Sequence, residues 1–289
     1  MAPGRHGQIG GITEWLEVSP PPPPSASKAA PRYARWPPVR LAAVESLWGA
    51  GFISPGGAEE TLRLAKPLGL EADATLLLLG GGIGGPADTI AGTFGTSVES
   101  LVADPELEGI AEQRRDAYPT ARRVRVGSWN PERPAFPRQS ANHALALEAL
   151  RGAPAAQVLG SLAGALRPHG RIVLTEMVAD APAPAADPEF AAWCRLDGRS
   201  PDLPRARTVT TALAEQHFDV QVIEDLSDRH VSATLAGWRG AVRTMASGPR
   251  LPAAAACVFV TEAELWLLRV RLMRRFGFRL LRWFAIGAA

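Results

Sequence analysis

The chain has few of the features that mark disulfide-rich or nucleic-acid-binding proteins. Its 289 residues include only two cysteines, Cys194 and Cys257, which are too few for a disulfide framework and predict a reducing compartment. The formal net charge is +2, whereas a dedicated nucleic-acid-binding domain carries a strongly basic face. We therefore expect no nucleic-acid partner.

Long apolar runs are also scarce. The first residues lack the apolar stretch of a signal peptide, and six arginines interrupt the apolar carboxy-terminal region between 269 and 282. No uninterrupted apolar run is long enough to cross a bilayer. These absences predict a soluble, cytoplasmic protein without an integral membrane segment.

The chain does contain enough apolar sequence for a full core. Hydrophobic residues make up 46% of it, and its length suits one sizeable α/β domain with additions. The exception is 1–32, where a run of five prolines is typical of a disordered, Pro-rich arm. A helical cap is expected over 33–72, because apolar residues such as Leu41, Val44 and Leu47 recur there at helical spacing.

The most informative stretch is an apolar run that ends in a glycine cluster. Residues 76–79 have the pattern of a buried parallel strand, and Gly80, Gly82 and Gly85 follow in the spacing Gly-x-Gly-x-x-Gly. Glycines let the backbone turn sharply and approach a ligand closely. Pro86 fits the first turn of a helix, where its missing N–H is not needed. Strand, loop and helix start together predict a cradle for a nucleotide-type ligand.

Strand and helix patterns alternate from residue 73 onward, as they do in a βαβ fold. This alternation predicts an α/β protein over 73–289, with a Rossmann-like, doubly wound sheet of seven strands. A stretch rich in alanine, proline and aspartate, at about 180–206, suits a lid inserted after the fifth strand. The last strand, at 278–284, is expected to run antiparallel at the edge of the sheet.

Four motifs, taken in order, resemble those of the class I S-adenosylmethionine-dependent methyltransferases. The first is a loop at 47–57 that precedes the glycine loop and is called the lead-in loop below. The others are the glycine loop at 80–85, the turn and fifth strand at 168–176, and the region 266–284. The similarity is to the small-molecule branch, which includes the sarcosine, dimethylglycine and phosphoethanolamine N-methyltransferases. The resemblance implies S-adenosylmethionine as cofactor and a small molecule as methyl acceptor.

The chain departs from this family pattern at four positions around the expected cofactor site. Leu78 and Val102 stand where the family has acidic residues, and Asn130 and Asn142 stand where it has aspartates. Ribose hydroxyls are donors that need acceptors when they are buried, and Val102 cannot accept. The loss of one charged acceptor, worth about 1.5–3 kcal/mol, would weaken cofactor binding by roughly one to two decades.

The resemblance and the strand order suggest two sets of site residues. The expected cofactor-binding residues are Gly80, Gly82, Gly84, Asp104, Trp129 and Asn130. His143 and Glu148 are the catalytic candidates, because a histidine near the switch point of the sheet can take a proton and a carboxylate can orient a substrate. Each has a structural alternative: His143 as a packed strand residue and Glu148 as the cap of the next helix. Glu176 would either face the acceptor or bond to a neighbouring turn.

Further residues also have both a functional and a structural interpretation. Tyr33, Trp36, Trp48 and Phe52 would close over a cationic amine through their ring faces, although such aromatics more often form core. His230 lies near two aspartates, but this spacing matches no metal pattern and predicts a solvated loop. No metal site is expected.

Three functions stay open at this point. The first is S-adenosylmethionine-dependent methyl transfer to a small molecule. The second is a catalytically degenerate binding or scaffold subunit, which the replacement of acidic residues by Leu78 and Val102 suggests. Such a subunit would pair with an active homologue or form a homo-oligomer. The third is a NAD- or FAD-binding enzyme, because the glycine spacing suits a dinucleotide and Glu99 follows about 20 positions on. The acceptor, and the choice of N-, O- or C-methylation, are not encoded in any motif.

Overall fold

The computed structural model describes residues 35–151 and 153–288, together with Met1. The part of the chain from residue 35 onward forms one compact unit. The predicted arm at 1–32, apart from Met1, and Tyr33 lie outside the described residues. Within the described ranges, no helix has both the length and the apolar character needed to cross a membrane.

Helices and strands alternate along the described chain. The helices are α1 (Pro38–Trp48), α2 (Gly57–Ala65), α3 (Gly85–Phe94), α4 (Pro105–Arg115), α5 (Ala155–Ala165), α6 (Pro188–Asp197), α7 (Ala206–Glu215), α8 (Ser227–Ser247) and α9 (Ala253–Phe276). The strands are β1 (Thr75–Leu79), β2 (Ser97–Val102), β3 (Val124–Ser128), β4 (Ala141–Leu147), β5 (Leu166–Val178), β6 (Phe218–Asp225) and β7 (Arg279–Gly287). Short 3-10 turns cover Lys66–Leu68 and Ala121–Arg123.

These strands form one sheet in the order β3-β2-β1-β4-β5-β7-β6. Strands β1 to β5 pair in parallel with one another, and β7 runs antiparallel to both β5 and β6. The predicted Rossmann-like sheet of seven strands is therefore confirmed. The expected edge position of the last strand is wrong, because β7 inserts between β5 and β6 and leaves β6 at the edge.

The four leucines of β1 show why the sheet has a core on both faces. Side chains alternate along a strand, so Leu76 and Leu78 join one apolar cluster while Leu77 and Leu79 join another. The first cluster includes residues of α1, α3 and α9, and the second includes residues of α5 and α7. A parallel strand that is buried on both faces has a continuous apolar sequence, which is the pattern that predicted β1.

The strand order also fixes where a ligand can bind. After β1 the chain adds β2 and β3 on one side, and then crosses back to place β4 on the other side of β1. This reversal is a topological switch point, and ligands of open α/β sheets bind outside the carboxyl ends of the strands there. The loops that follow the first four strands all leave the sheet at this edge.

The region predicted as a lid contains α6, which packs against the body of the protein. Phe190 and Trp193 on this helix are both buried. The ring of Phe190 lies edge-on to that of Phe278, with 5.7 Å between their centroids. The segment therefore contributes to the core as well as covering the sheet edge.

Helix α8 is the largest element absent from the sequence-based prediction. His230 was expected in a solvated loop, but it lies in the first turn of this 21-residue helix. Val231, Trp238 and Met245 recur at intervals of seven residues and pack against the core, so an apolar helical spacing is present in the sequence. Gly237 lets α8 approach α1 closely, because a Cβ there would lie 2.8 Å from the carbonyl oxygen of Leu47.

Candidate functional site

A cavity of about 560 Å³ lies at the switch point. Small-molecule sites typically have volumes of roughly 300–1,000 Å³. Residues that directly follow four parallel strands line it, namely Gly80, Ala103, Trp129 and Glu148. The strand-end side, called the glycine wall below, consists of Gly80, Gly81, Gly82, Val102, Ala103, Asp104 and Trp129. The other side, called the helix wall, includes Trp36, Arg40, Leu64, Glu148, His230, Ala233, Glu262, Leu265, Trp266 and Arg269.

The glycine wall depends on backbone conformations that glycine adopts most readily. Gly80, Gly82 and Gly84 have φ angles of +79°, +60° and +108°. A Cβ on Gly80 would overlap the carbonyl oxygen of Leu147, and one on Gly82 would lie 3.0 Å from Ile53 Cγ1. Gly84 is the residue before α3 and is not part of the wall. No side chain caps the start of α3, and its positive dipole end suits an anionic group.

The lead-in loop holds the glycine loop in position. The N–H of Gly85 donates to the carbonyl oxygen of Gly51 at 3.0 Å, and a Cβ on Gly51 would lie 2.8 Å from Gly85 Cα. Glu45 accepts from the N–H of Gly51 at 2.7 Å and from Arg114 at 3.1 Å. Burial alone would raise the pKa of Glu45, but the bonds from Arg114 and Gly51 lower it. This contact fixes the position of the glycine loop against the segment that precedes it.

Asp104 lies on the glycine wall, but its carboxylate is already engaged. Oδ1 accepts from the N–H groups of Glu106 and Leu107, which makes Asp104 the N-cap of α4. Oδ2 accepts from Arg35 and from the indole N–H of Trp36, both at 3.2 Å. A carboxylate offers about four lone-pair sites, so Asp104 has little capacity left for a ligand hydroxyl.

Trp129 and Asn130, which follow β3, have different surroundings. Trp129 is buried on the glycine wall and packs against Phe136, with 5.7 Å between the ring centroids. Its indole N–H has no acceptor among the described residues, although buried donors almost always have one. Asn130 is exposed, and its side-chain oxygen accepts from the N–H of Glu132. The structure therefore brings Trp129 to the cavity, and it does not bring Asn130 there.

Buried apolar side chains occupy two of the four positions where family carboxylates are missing. Leu78 belongs to the core and is not part of the cavity wall. Val102 lines the cavity and packs in a small cluster with Leu41, Ile83 and Leu107. Neither side chain closes the cavity, whose wall includes both the glycine loop and Val102.

His143 lies away from the cavity. It is near the start of β4, in register with Leu76 of β1 and Arg171 of β5, whereas the cavity lies at the carboxyl ends of these strands. Its Nδ1 accepts from the backbone N–H of Arg171 at 3.1 Å. Burial, assisted by the charge of Arg171, lowers the pKa of His143. The direction of the strand thus makes it a packed residue that has no access to an acceptor.

Glu148 does reach the cavity, and two arginines hold it there. Its carboxylate lies 2.7 Å from Arg199 Nη2 and 2.6 Å from Arg269 Nη2. Both guanidiniums are almost completely buried. Burial alone would raise the pKa of Glu148, but Arg269 and Arg199 keep it well below its usual value. Glu148 is therefore a charged anchor rather than a proton acceptor.

Glu176 is a second buried acid beside this cluster, with the opposite pKa shift. It accepts from the backbone N–H groups of Leu150 and Met177, so of the two alternatives the bond to a neighbouring turn is the one observed. Burial raises the pKa of Glu176 to about 7, with Arg199 opposing the shift and Glu148 adding to it. It is not part of the cavity wall.

Each charged side chain on the described part of the wall has a partner of opposite charge. Five arginines and five carboxylates line the cavity. The pairs are Arg35–Asp104, Arg40–Glu262, Arg151–Asp197, Arg229–Glu60 and Arg269–Glu148. The described wall therefore carries no formal net charge.

His230 is one of several residues on the helix wall that were not predicted from the sequence. Its ring centroid lies 6.0 Å from that of Trp266, and its Nε2 is buried without a partner among the described residues. Burial lowers the pKa of His230 to about 3, with Arg269 adding to the shift, so the imidazole is neutral. One local signal of its helix is Asp225, which accepts from the N–H of Ser227 at the start of α8.

The aromatic side chains expected to enclose a cationic amine are engaged elsewhere. Trp36 lines the cavity, but the guanidinium of Arg40 lies 4.1 Å from the centroid of its ring. Trp48 packs edge-on against Trp266 at 5.2 Å, and Phe52 is part of the core. The rings that the structure describes therefore face a cation or other apolar groups.

One curated protein shows the similarity that the motifs imply. No family model matches the chain. Phosphoethanolamine N-methyltransferase 2 of Caenorhabditis elegans is 30% identical over 135 residues, which are 46% of this chain and 31% of that protein. The chain thus matches only about a third of the length of this relative.

Solved structures share the fold at low sequence identity. Haemonchus contortus phosphoethanolamine N-methyltransferase 2, in complex with phosphomonomethylethanolamine and S-adenosylhomocysteine, has a TM-score of 0.71 and 18% identity over 89% of this chain and 59% of that chain. The cyclase SpnF has a TM-score of 0.66 and 15% identity, over 88% and 93%. The predicted resemblance is confirmed at the level of the fold, and the fold alone does not fix the reaction.

Proposed function

We propose that this chain binds S-adenosylmethionine at the glycine wall and transfers its methyl group to a small molecule held at the helix wall. The cavity at the switch point carries this proposal, because its lining combines the Gly80–Gly82 loop with the residues that follow four parallel strands. The similarity to methyltransferases in sequence and fold supports it.

The glycine wall fits this cofactor in two respects and departs from it in one. The glycine loop lines the cavity with backbone alone, next to an uncapped helix start whose positive dipole end suits the carboxylate of the cofactor's methionine part. Trp129 offers a flat buried ring and an unpartnered N–H for the adenosine part. Val102, however, gives the ribose hydroxyls no acceptor, and the carboxylate of Asp104 is occupied. We therefore expect binding in the micromolar range.

The chemistry of the cofactor determines what the protein residues have to do. When bound, S-adenosylmethionine supplies a methyl group that is already activated on a sulfonium, so the protein mainly positions the two reactants and excludes water. Glu148 contributes as a positioning residue, because its ion pair with Arg269 ties α9 to the end of β4. Leu265 and Trp266 of α9 and His230 of α8 then form the surface for the acceptor.

Calorimetric titration with S-adenosylmethionine and S-adenosylhomocysteine tests this proposal. We expect micromolar dissociation constants for both, and no binding at millimolar ligand would contradict the assignment. Ala103→Trp places a large ring on the glycine wall and should weaken binding at least about tenfold. Gly109→Ala is the matched control, because a Cβ there meets nothing within 4 Å, and it should leave binding unchanged.

The same titration separates the two alternatives. A dinucleotide enzyme would bind NAD, but Glu99 lies within β2 opposite Arg125 and is not part of the cavity wall, so the expected ribose-binding acid is missing. A degenerate scaffold subunit, favoured by Val102 and the occupied Asp104, would bind neither cofactor form. Assembly as a homo-oligomer or with an active homologue stays a prediction, which sedimentation of the purified chain would test.

A further inference from the structure

His230 is one of three residues of the cavity lining, with Trp129 and Arg269, that have a buried polar atom without a partner among the described residues. Its Nε2 is buried and unpartnered, whereas buried polar atoms almost always have a partner. The charged groups that act on it are Arg269, Glu148, Glu60 and Asp197, and all of them already form ion pairs. Because the pKa of His230 is lowered to about 3, the ring is neutral and its Nε2 can donate or accept one hydrogen bond, depending on the tautomer.

Each arginine of the described wall has a carboxylate partner, which disfavours a phosphate ester. Phosphates are recognised by guanidinium or ammonium groups, most strongly through two parallel hydrogen bonds. Arg40 Nε lies 2.6 Å from Glu262 Oε1, and Arg269 Nη2 lies 2.6 Å from Glu148 Oε1. A phosphate placed beside either arginine would also lie beside its carboxylate, which repels it.

The described helix wall equally leaves no unpaired carboxylate for a cationic amine, and its indoles already face cations. Its carboxylates are paired, and ammonium compounds are otherwise recognised by the faces of aromatic rings. The two indoles of the helix wall already face guanidiniums, at 4.1 Å between Trp36 and Arg40 and at 5.7 Å between Trp266 and Arg269. A second cation at these rings would be repelled by the first.

Apolar side chains make up much of the remaining surface. They are Leu64, Leu226, Ala233, Leu265 and Leu280. We infer that the methyl acceptor is an uncharged, largely apolar molecule with one polar group that hydrogen-bonds to Nε2 of His230. This inference rests on the proposed function, because it names the acceptor class of the same cavity. This acceptor class differs from the phosphorylated amine that is specified in the names of two relatives.

Four probes test the inference by varying charge. They are 2-phenylethanol, which is uncharged, 2-phenylethylamine, 3-phenylpropanoate and phosphoethanolamine. Binding of each to the full chain is measured by calorimetry, with and without saturating S-adenosylhomocysteine. We expect 2-phenylethanol to bind at least about tenfold more tightly than each charged probe. Tighter binding of any charged probe, or no binding of 2-phenylethanol at its solubility limit, would overturn the inference.

Nitrogen NMR of the histidine side chains gives a readout that needs no turnover. The chain has five histidines, so the His230 signal can be assigned as the one that disappears in His230→Gln. We expect this signal to be that of a neutral ring at pH 5.5, to shift when 2-phenylethanol is added and to stay constant with phosphoethanolamine. A shift with phosphoethanolamine alone would contradict the inference.

Two variants and one control complete the test. His230→Phe keeps an aromatic ring but removes the hydrogen bond, and should weaken 2-phenylethanol at least about fivefold, whereas His230→Gln should retain part of the affinity. His169→Phe changes an exposed histidine outside the cavity wall and should have no effect. Failure of S-adenosylhomocysteine to bind would overturn the proposed function, whereas equal probe affinities in His230→Phe and the native chain would overturn only this inference.

Discussion

The two walls of the cavity are built by different physical means. The glycine wall is made largely from backbone, because positive φ angles at Gly80 and Gly82 and close approach by the lead-in loop determine its shape. The helix wall is made from side chains of distant segments, since Glu148 after β4 pairs with Arg269 of α9 across 121 positions of sequence. Local sequence therefore specifies the first wall, and only the complete fold specifies the second.

Removing the charge of Glu148 should break the helix wall and have the largest effect. Glu148→Gln leaves the buried guanidiniums of Arg199 and Arg269 without their shared carboxylate, which should lower the free energy of unfolding by about 3–5 kcal/mol. Urea unfolding measures this change. Glu132→Gln alters an exposed carboxylate and should change stability by less than about 0.5 kcal/mol. Equal effects of the two substitutions would show that the buried cluster contributes little.

Acid–base behaviour should distinguish the two buried titrating groups of this region. The folded pKa of His230, about 3, lies below its unfolded value, so its contribution to stability is lost as the pH falls from about 6.5 towards 3. The folded pKa of Glu176, about 7, lies above its unfolded value, so its contribution is lost as the pH rises from about 4.5 to 7. Between about pH 4.5 and 6.5 the opposite effects of the two groups on the free energy of unfolding cancel.

Replacing one of the two groups should reveal the pH dependence of the free energy of unfolding that is due to the other. In His230→Gln the free energy of unfolding should fall with rising pH between 4.5 and 6.5, and in Glu176→Gln it should rise, each by about 1.4 kcal/mol per pH unit. Urea unfolding at several pH values measures these slopes. Curves parallel to that of the native chain would mean that neither group has the shifted pKa.

The glycine wall was the part of the site that sequence patterns could predict. An apolar run, a glycine cluster and a proline are local signals, and they placed β1, Gly80 and Gly82 where the structure has them. The helix wall could not be predicted in this way, because its side chains come from segments that are far apart in sequence, and His230 reaches the cavity only through the packing of α8 on α1 and α9. His143 shows the converse problem, since the correct strand was predicted but the residue lies at the wrong end of it.

A carboxylate at position 102 should restore a contact with the cofactor that the glycine wall lacks. Val102→Glu supplies an acceptor for the ribose hydroxyls, and a charged hydrogen bond worth about 1.5–3 kcal/mol would tighten S-adenosylhomocysteine binding about ten- to hundredfold. Calorimetry measures the gain. Val102→Thr keeps the shape without the charge and should change affinity much less. An unchanged or weaker affinity of Val102→Glu would show that this position does not face the ribose.

The smallest effect is expected at Asp104. Asp104→Asn keeps an oxygen for the cap of α4 but removes the charge beside Arg35, which should cost about 0.5–1 kcal/mol of stability. Because the carboxylate oxygens already accept from four donors, S-adenosylhomocysteine affinity should change less than about twofold. A loss of tenfold or more would assign Asp104 to the ribose after all.

A crystal structure of the chain grown with S-adenosylhomocysteine would show whether the glycine wall holds a methyl donor. We expect the amino-acid part of the ligand against Gly80–Gly82 and the adenine ring beside Trp129. A ligand bound elsewhere, or an empty cavity at saturating concentration, would contradict it.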